Sequence, residues 1–184
     1  MTDILTAKIA HGFDYLDATG DGHLTEQDHV ELGQRAATGL GHAPGSPEEE
    51  RIIAAFTAIW DNIHRPHLPE GRDQIDKETF IAATRSLEPE AADATVGAMA
   101  RTFLAIADSD GNGVLSAEEF AVFQRALFPE IAQDDIDKAF AFLDRDGNGH
   151  LTATEFTTAV LEYWNSTDPD APGNWYLGQP VYER

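Results

Sequence analysis

Two twelve-residue stretches, Asp108 to Glu119 (DSDGNGVLSAEE) and Asp144 to Glu155 (DRDGNGHLTATE), carry oxygen-bearing side chains at matching intervals. Asp108, Asp110 and Asn112 stand at positions 1, 3 and 5 of the first stretch; Asp144, Asp146 and Asn148 do so in the second. A Gly follows at position 6, an aliphatic residue at 8, and Glu119 or Glu155 at 12. Val114 and His150 occupy position 7, where the backbone carbonyl is the donor. Such a set can surround one hard divalent cation with six to eight oxygens, which is the coordination Ca²⁺ takes. Gly113 and Gly149 allow the sharp turn that returns the later donors to the earlier ones.

This spacing is that of an EF-hand loop. A third version runs from Asp17 to Asp28 (DATGDGHLTEQD) and offers Asp17, Thr19, Asp21, the backbone of His23, and Asp28. Thr19 brings only a neutral hydroxyl. Asp28 is one methylene shorter than Glu, so it reaches an ion with one oxygen more readily than with two. The resulting six-coordination would suit Mg²⁺ as well as Ca²⁺. The expectation is three Ca²⁺ ions, with Mg²⁺ competing for the first loop and the rings of His23 and His150 facing solvent.

A loop of this kind works only when a helix holds each of its ends. Apolar residues at helical spacing supply them: Leu5, Ile9, Phe13 and Leu16 before the first loop, Val96, Met99, Phe103 and Ile106 before the third, and Ile136, Phe140 and Leu143 before the fourth. Phe120, Phe123 and Leu127, then Phe156, Val160 and Trp164, mark exit helices. Thr25, Ser116 and Thr152 at position 9 are good N-caps, and the Ser116/Glu119 and Thr152/Glu155 pairs read as capping boxes. One carboxylate thereby serves the ion and the helix N-terminus together.

The remaining copy, second along the chain, breaks the pattern. It opens on a capping box and N-terminal proline at Ser46-Pro47-Glu48-Glu49, runs through Ile52, Phe56, Ile59, Trp60 and Ile63, and should stop at Pro66. Setting Ile75 at position 8 puts Leu68 at position 1 and Thr79 at position 12. Starting at Asp61 instead leaves 14 residues before Ile75 where the intact loops need 7. Either alignment scatters the donors, so no metal is expected here. Ile75 is still needed, because paired EF-hands join at position 8: Leu24 with Ile75, Leu115 with Leu151.

The remaining composition narrows the function. A formal charge of −21, from 33 acids against 12 bases, disfavours nucleic acid and anionic membranes. The absence of Cys excludes disulfides and thiolate sites. No apolar run reaches the ~18 residues that span a bilayer. No signal peptide is read in residues 1–10, so the expected location is cytoplasmic. The His residues lack zinc-site spacing and no Ser has a catalytic context, so no enzyme is expected.

With three intact loops, a lengthened degenerate second copy at about 61–79 and Asp at position 28, the chain resembles the sarcoplasmic calcium-binding protein family, including its bacterial members. The resemblance implies an all-α fold of four helix-loop-helix units in two pairs, with short antiparallel β contacts between paired loops. The divisions expected are 1–88 for the first pair and 89–184 for the second, including a tail at 165–184 aromatic enough to fold back on the body. It also implies a monomer that binds calcium as a buffer. Only two Met residues are present, which speaks against an adaptable sensor groove. The alternative is a sensor that engages an unknown protein partner when loaded. A second alternative comes from the photoproteins, which look similar and enclose a cavity for a luciferin; Trp60, Trp164, Trp175, Tyr163 and Tyr176 would line it. Core packing is the simpler expectation for these rings.

Overall fold

Each acidic loop grows out of the last turn of one helix and closes in the first turn of the next. Asp17, Asp108 and Asp144 cap the C-termini of their helices, with their N–H groups bonded to the carbonyls of Phe13, Leu104 and Phe140. The computed structural model describes residues 3–180; positions 1–2, and 181–184 at the end of the expected tail, lie outside the described residues.

The fold is all-α. The first unit is α1 (Ile4–Leu16), β1 (His23–Leu24) and α2 (Glu26–Gly39). The second is α3 (Pro47–Ile59), β2 (Ile75–Asp76) and α4 (Lys77–Arg85). After the short α5 (Pro89–Ala92) come α6 (Ala98–Ala107), β3 (Val114–Ser116) and α7 (Ala117–Leu127). The last unit is α8 (Gln133–Leu143), β4 (His150–Thr152) and α9 (Ala153–Asn165). The strands pair antiparallel as the spacing requires, Leu24 opposite Ile75 and Leu115 opposite Leu151. All four of these residues are buried.

The caps account for the helix starts. Ser116 and Thr152 form complete capping boxes with Glu119 and Glu155, and Thr25 forms one with Asp28 that the sequence reading did not name. Ser46 caps α3, but the Glu49 carboxylate accepts from Gly45 N–H instead of returning to Ser46. The expected box at Ser46 is therefore only half formed. The end of α3 also differs. Regular helix stops at Ile59 and widens into a π turn over Trp60–His64, then tightens into a 3₁₀ turn over Arg65–His67. Pro66 lacks an N–H and crowds the turn before it, which ordinary α-geometry cannot absorb.

Helices of the two halves interleave. α2 packs on both α3 and α7, while α9 packs on α1, α4 and α6. The rings of Phe56, Phe103 and Phe123 run across the middle at centroid spacings of 5.3 and 5.6 Å. The aromatic tail does fold back: the turn Pro172–Trp175 lies on α8 and α9, and Tyr176 and Leu177 are buried. A buried lysine fixes it. Lys8 Nζ donates to the Glu162 carbonyl at 2.7 Å and to Asn174 Oδ1 at 2.8 Å. Burial draws the Lys8 pKa down to about 8, against the pull of Glu162 and Asp168.

Close packing of α2 on α3 depends on Gly33, where an added Cβ would sit 2.8 Å from Ile53 Cα. Gly33→Val is expected to destabilise the protein by about 1–3 kcal/mol through overpacking, despite its gain in helix propensity. Urea denaturation monitored by circular dichroism measures this, and an unchanged midpoint would contradict the packing.

Candidate functional site

In the third loop the ligand oxygens of Asp108, Asp110 and Glu119 all lie within 4.8 Å of one another. Those of Asp144, Asp146 and Glu155 converge the same way in the fourth. The chain's own N–H groups hold them there. Asp108 accepts from Asn112 N at 3.1 Å and Gly113 N at 2.9 Å; Asp144 accepts from Asn148 N at 3.1 Å and Gly149 N at 2.8 Å. Asn112 Oδ1 and Asn148 Oδ1 accept from the N–H of Val114 and His150. His150 is exposed, as expected, and His23 is only partly so.

The position-12 carboxylates tie each loop to its exit helix. Glu119 accepts from Ser109 N at 2.9 Å with one oxygen and from Ser116 N at 3.0 Å with the other. Burial pushes the Glu119 carboxyl up, but the hydrogen bonds from Ser116 and Ser109 outweigh it and hold the pKa at about 2. Glu155 is held below its ordinary value by the same balance, bridging Arg145 N and Thr152 N. Hard oxygen donors, ionised and converging, fit a calcium ion.

The first loop is arranged differently. Asp17 accepts from Asp21 N at 3.2 Å and Gly22 N at 2.8 Å, as its counterparts do, and also from Gly20 N at 2.8 Å. Asp28 is fully buried and turns its oxygens onto Thr19 N at 3.0 Å and Thr25 N at 2.7 Å. Asp17, Thr19, Asp21 and Asp28 share the loop, yet among the described residues no three carboxylates converge there as they do in the other two. In the second copy, Asp76 caps α4 by accepting from Thr79 N at 2.8 Å.

The degenerate copy instead covers a cavity of about 380 Å³. Leu68, Pro69, Arg72 and Gln74 form one side, with Leu16, Phe80, Val96 and Met99 among the other walls. Of the five rings that the photoprotein resemblance would assign to a cavity, only Trp164 borders this one. Trp60, Tyr163 and Tyr176 are buried in the core; Trp175, partly buried, packs against it and stacks on the exposed Phe142 at 4.9 Å. Sequence reasoning missed His64, a wall residue in the π turn, and His29 behind it, with ring centroids 5.2 Å apart. The available signal was His29 itself, which takes the place that Phe120 and Phe156 fill after position 12. Its Nδ1 lies 2.9 Å from the Thr25 carbonyl. No catalytic motif is evident among the described residues.

Residues 98–161 match the family described as the EF-hand domain pair. Calerythrin of Saccharopolyspora erythraea is 26% identical over 130 residues, covering 68% of this chain and 73% of calerythrin. A coelenterazine-binding protein from Renilla muelleri, in its calcium-loaded apo form, superposes with a TM-score of 0.74 at 22% identity, over 97% of this chain and 99% of that one. A Streptomyces coelicolor calcium-binding protein, described for prokaryotic calcium-mediated regulation, does so at 0.70 and 24%, over 88% and 97%. No helix among the described residues is long and apolar enough to cross a membrane.

His64 yields a test of the cavity wall. Burial, with the nearby His29 and His67, lowers its pKa from 6.5 to about 3. The unfolded imidazole therefore takes up a proton that the folded one refuses. That contribution to stability is intact above 6.5 and is lost as pH falls from 6.5 toward 3. His64→Phe should flatten the fall in unfolding free energy between pH 6.5 and 4.5, as read from urea titrations, relative to the parent chain.

Proposed function

Starting from an EF-hand calcium-binding protein related to calerythrin, we propose a calcium-responsive binding protein rather than a passive buffer. Three ions bind, at Asp108/Asp110/Asn112/Val114/Glu119, at Asp144/Asp146/Asn148/His150/Glu155, and at Asp17/Thr19/Asp21/His23/Asp28. The first two sets are supported by their converged carboxylates. The third rests on its spacing, and its buried, shorter Asp28 suits Mg²⁺ as well as Ca²⁺. The chain works as a cytoplasmic monomer built of two EF-hand pairs, 1–88 and 89–184.

The observation that carries the responsive reading is helix α9. It begins at the Thr152/Glu155 capping box of the fourth loop and ends beside Trp164, which borders the cavity under the second copy. Trp164 packs edge-on against Phe80 of α4, with centroids 5.9 Å apart. Its ring also lies against Gly12 of α1, at a position where any Cβ would collide with it. A change in the angle of α9 on calcium binding therefore moves a wall of the cavity. A pure buffer needs the loops and no such connection. Calcium-mediated regulation in the Streptomyces coelicolor protein and coelenterazine binding in the Renilla muelleri protein, on similar folds, favour the same reading.

Glu155→Gln is expected to lower calcium stoichiometry by one ion per chain in calorimetry, and Glu119→Gln to do the same at its own loop. With Trp60 and Trp175 replaced by Phe, calcium titration should shift the emission maximum of Trp164, and Glu155→Gln should abolish the shift. A Trp164 signal indifferent to calcium, in a chain that still binds it, would leave only the buffer.

A further inference from the structure

The cavity beneath residues 68–74 has the features of a small-molecule site. At about 380 Å³ it falls within the range of ligand pockets, and most of its wall is apolar. Rings of Phe80, His64 and Trp164 form part of that wall, so a flat unsaturated guest would meet ring faces and edges. Two wall side chains also carry buried nitrogens with no partner: Trp164 Nε1 and His64 Nε2. The indole N–H can only donate, and Trp164 is 4% exposed, so solvent does not satisfy it. Buried polar groups are seldom left unpaired, which makes two in one wall informative.

Charge narrows the guest further. Low-dielectric surroundings keep the His64 imidazole neutral, so this ring offers no cation to an acid. The only carboxylate in the wall, Asp76, is committed to Thr79. Arg72 is the one arginine or lysine in the lining, and it sets against a basic guest what the net charge of −21 sets against an acidic one.

We propose that this cavity binds one uncharged, ring-bearing, mostly apolar organic molecule whose single hydroxyl or carbonyl oxygen pairs with Trp164 Nε1 and His64 Nε2. The proposal rests on the calcium-responsive reading for its regulation, since α9 joins the fourth loop to Trp164. The guest and calcium then influence each other's affinity reciprocally. The site differs from the one that the photoprotein resemblance suggested, sharing only Trp164 with it.

The test uses the full chain, with and without calcium, and the probe 2-naphthol, followed by calorimetry. One saturable site per chain is expected, with naphthalene, which lacks the oxygen, binding at least tenfold more weakly. Trp164→Phe or His64→Phe should narrow that difference. Ala83→Trp, at an exposed wall position, should block binding while calcium stoichiometry is retained. Absence of saturable 2-naphthol binding, equal affinity for naphthalene, preference for a carboxylate such as laurate, or undiminished binding in Ala83→Trp would each overturn the proposal. A calcium-dependent Trp164 signal without 2-naphthol binding defeats the guest alone. Binding that ignores calcium, with Trp164 also indifferent, defeats the responsive reading and leaves the guest site standing.

Discussion

Like charges forced together are the constraint on which the rest of this structure depends. Three carboxylate oxygens within 4.8 Å repel one another in each of two loops. At such separations each pair costs about 1 kcal/mol in water and about 4 kcal/mol near a protein surface. The backbone tolerates the convergence because N–H groups of the same loop donate into every carboxylate, as Gly113 does to Asp108 and Ser116 to Glu119. Those bonds orient the acids without neutralising them, and the surrounding charge of −21 worsens the repulsion. A dication resolves it. Calcium binding is in this sense the completion of a strained electrostatic arrangement, and it stabilises the loaded state by mass action.

The same carboxylates carry the consequence outward. Glu119 and Glu155 each hold a loop N–H with one oxygen and an N-cap residue with the other, so loop closure and helix direction are one variable. α9 then meets three neighbours at once. Glu162 in its last turns receives Arg145 from the fourth loop, Gly173 N–H from the tail, and, through its carbonyl, Lys8 from α1. Tyr163 donates to the Lys8 carbonyl at 3.0 Å. This helix cannot shift without the tail and α1 registering the movement. α7, by contrast, starts from the same kind of box but packs chiefly on α2 and α8.

Much of this was legible in the sequence because it is local. Capping residues, loop donors and apolar stripes act over four to twelve positions, and the pairing of Leu24 with Ile75 followed from a period that survives even in the damaged copy. What escaped was set by distant contacts. Lys8 lies beside an apolar stripe where a long charged side chain looks like a surface residue; its partners, the Glu162 carbonyl and Asn174 Oδ1, come from 154 and 166 positions away. The π turn at Trp60–His64 comes from accommodating Pro66 while keeping Trp60 in the core. Core packing was the expectation for the five large rings, and Trp164 departs from it by also bordering the cavity. His29 was visible as an exception to the Phe at its repeat position, but its ring partners Trp60 and His64 come from another unit.

The damaged copy then has a physical explanation that covers both what it lost and what it contains. In an intact loop, convergence on an ion draws the segment between the entering helix and position 8 into seven residues. In the second copy, Asp61 precedes Ile75 by 14 positions, and Asp76, the acid of β2, caps α4. The extra length lines a cavity together with residues of α4 and with Met99 of α6, and Gly71 makes its turn at φ +79°. The strand pairing to β1 still fixes where that length must end. A chain pinned at both ends and longer than the gap it spans encloses space. The cavity is thus the geometric counterpart of donors that do not converge: residues between 68 and 74 form part of the wall of a chamber, and Trp164, on the helix leaving the fourth loop, forms another part.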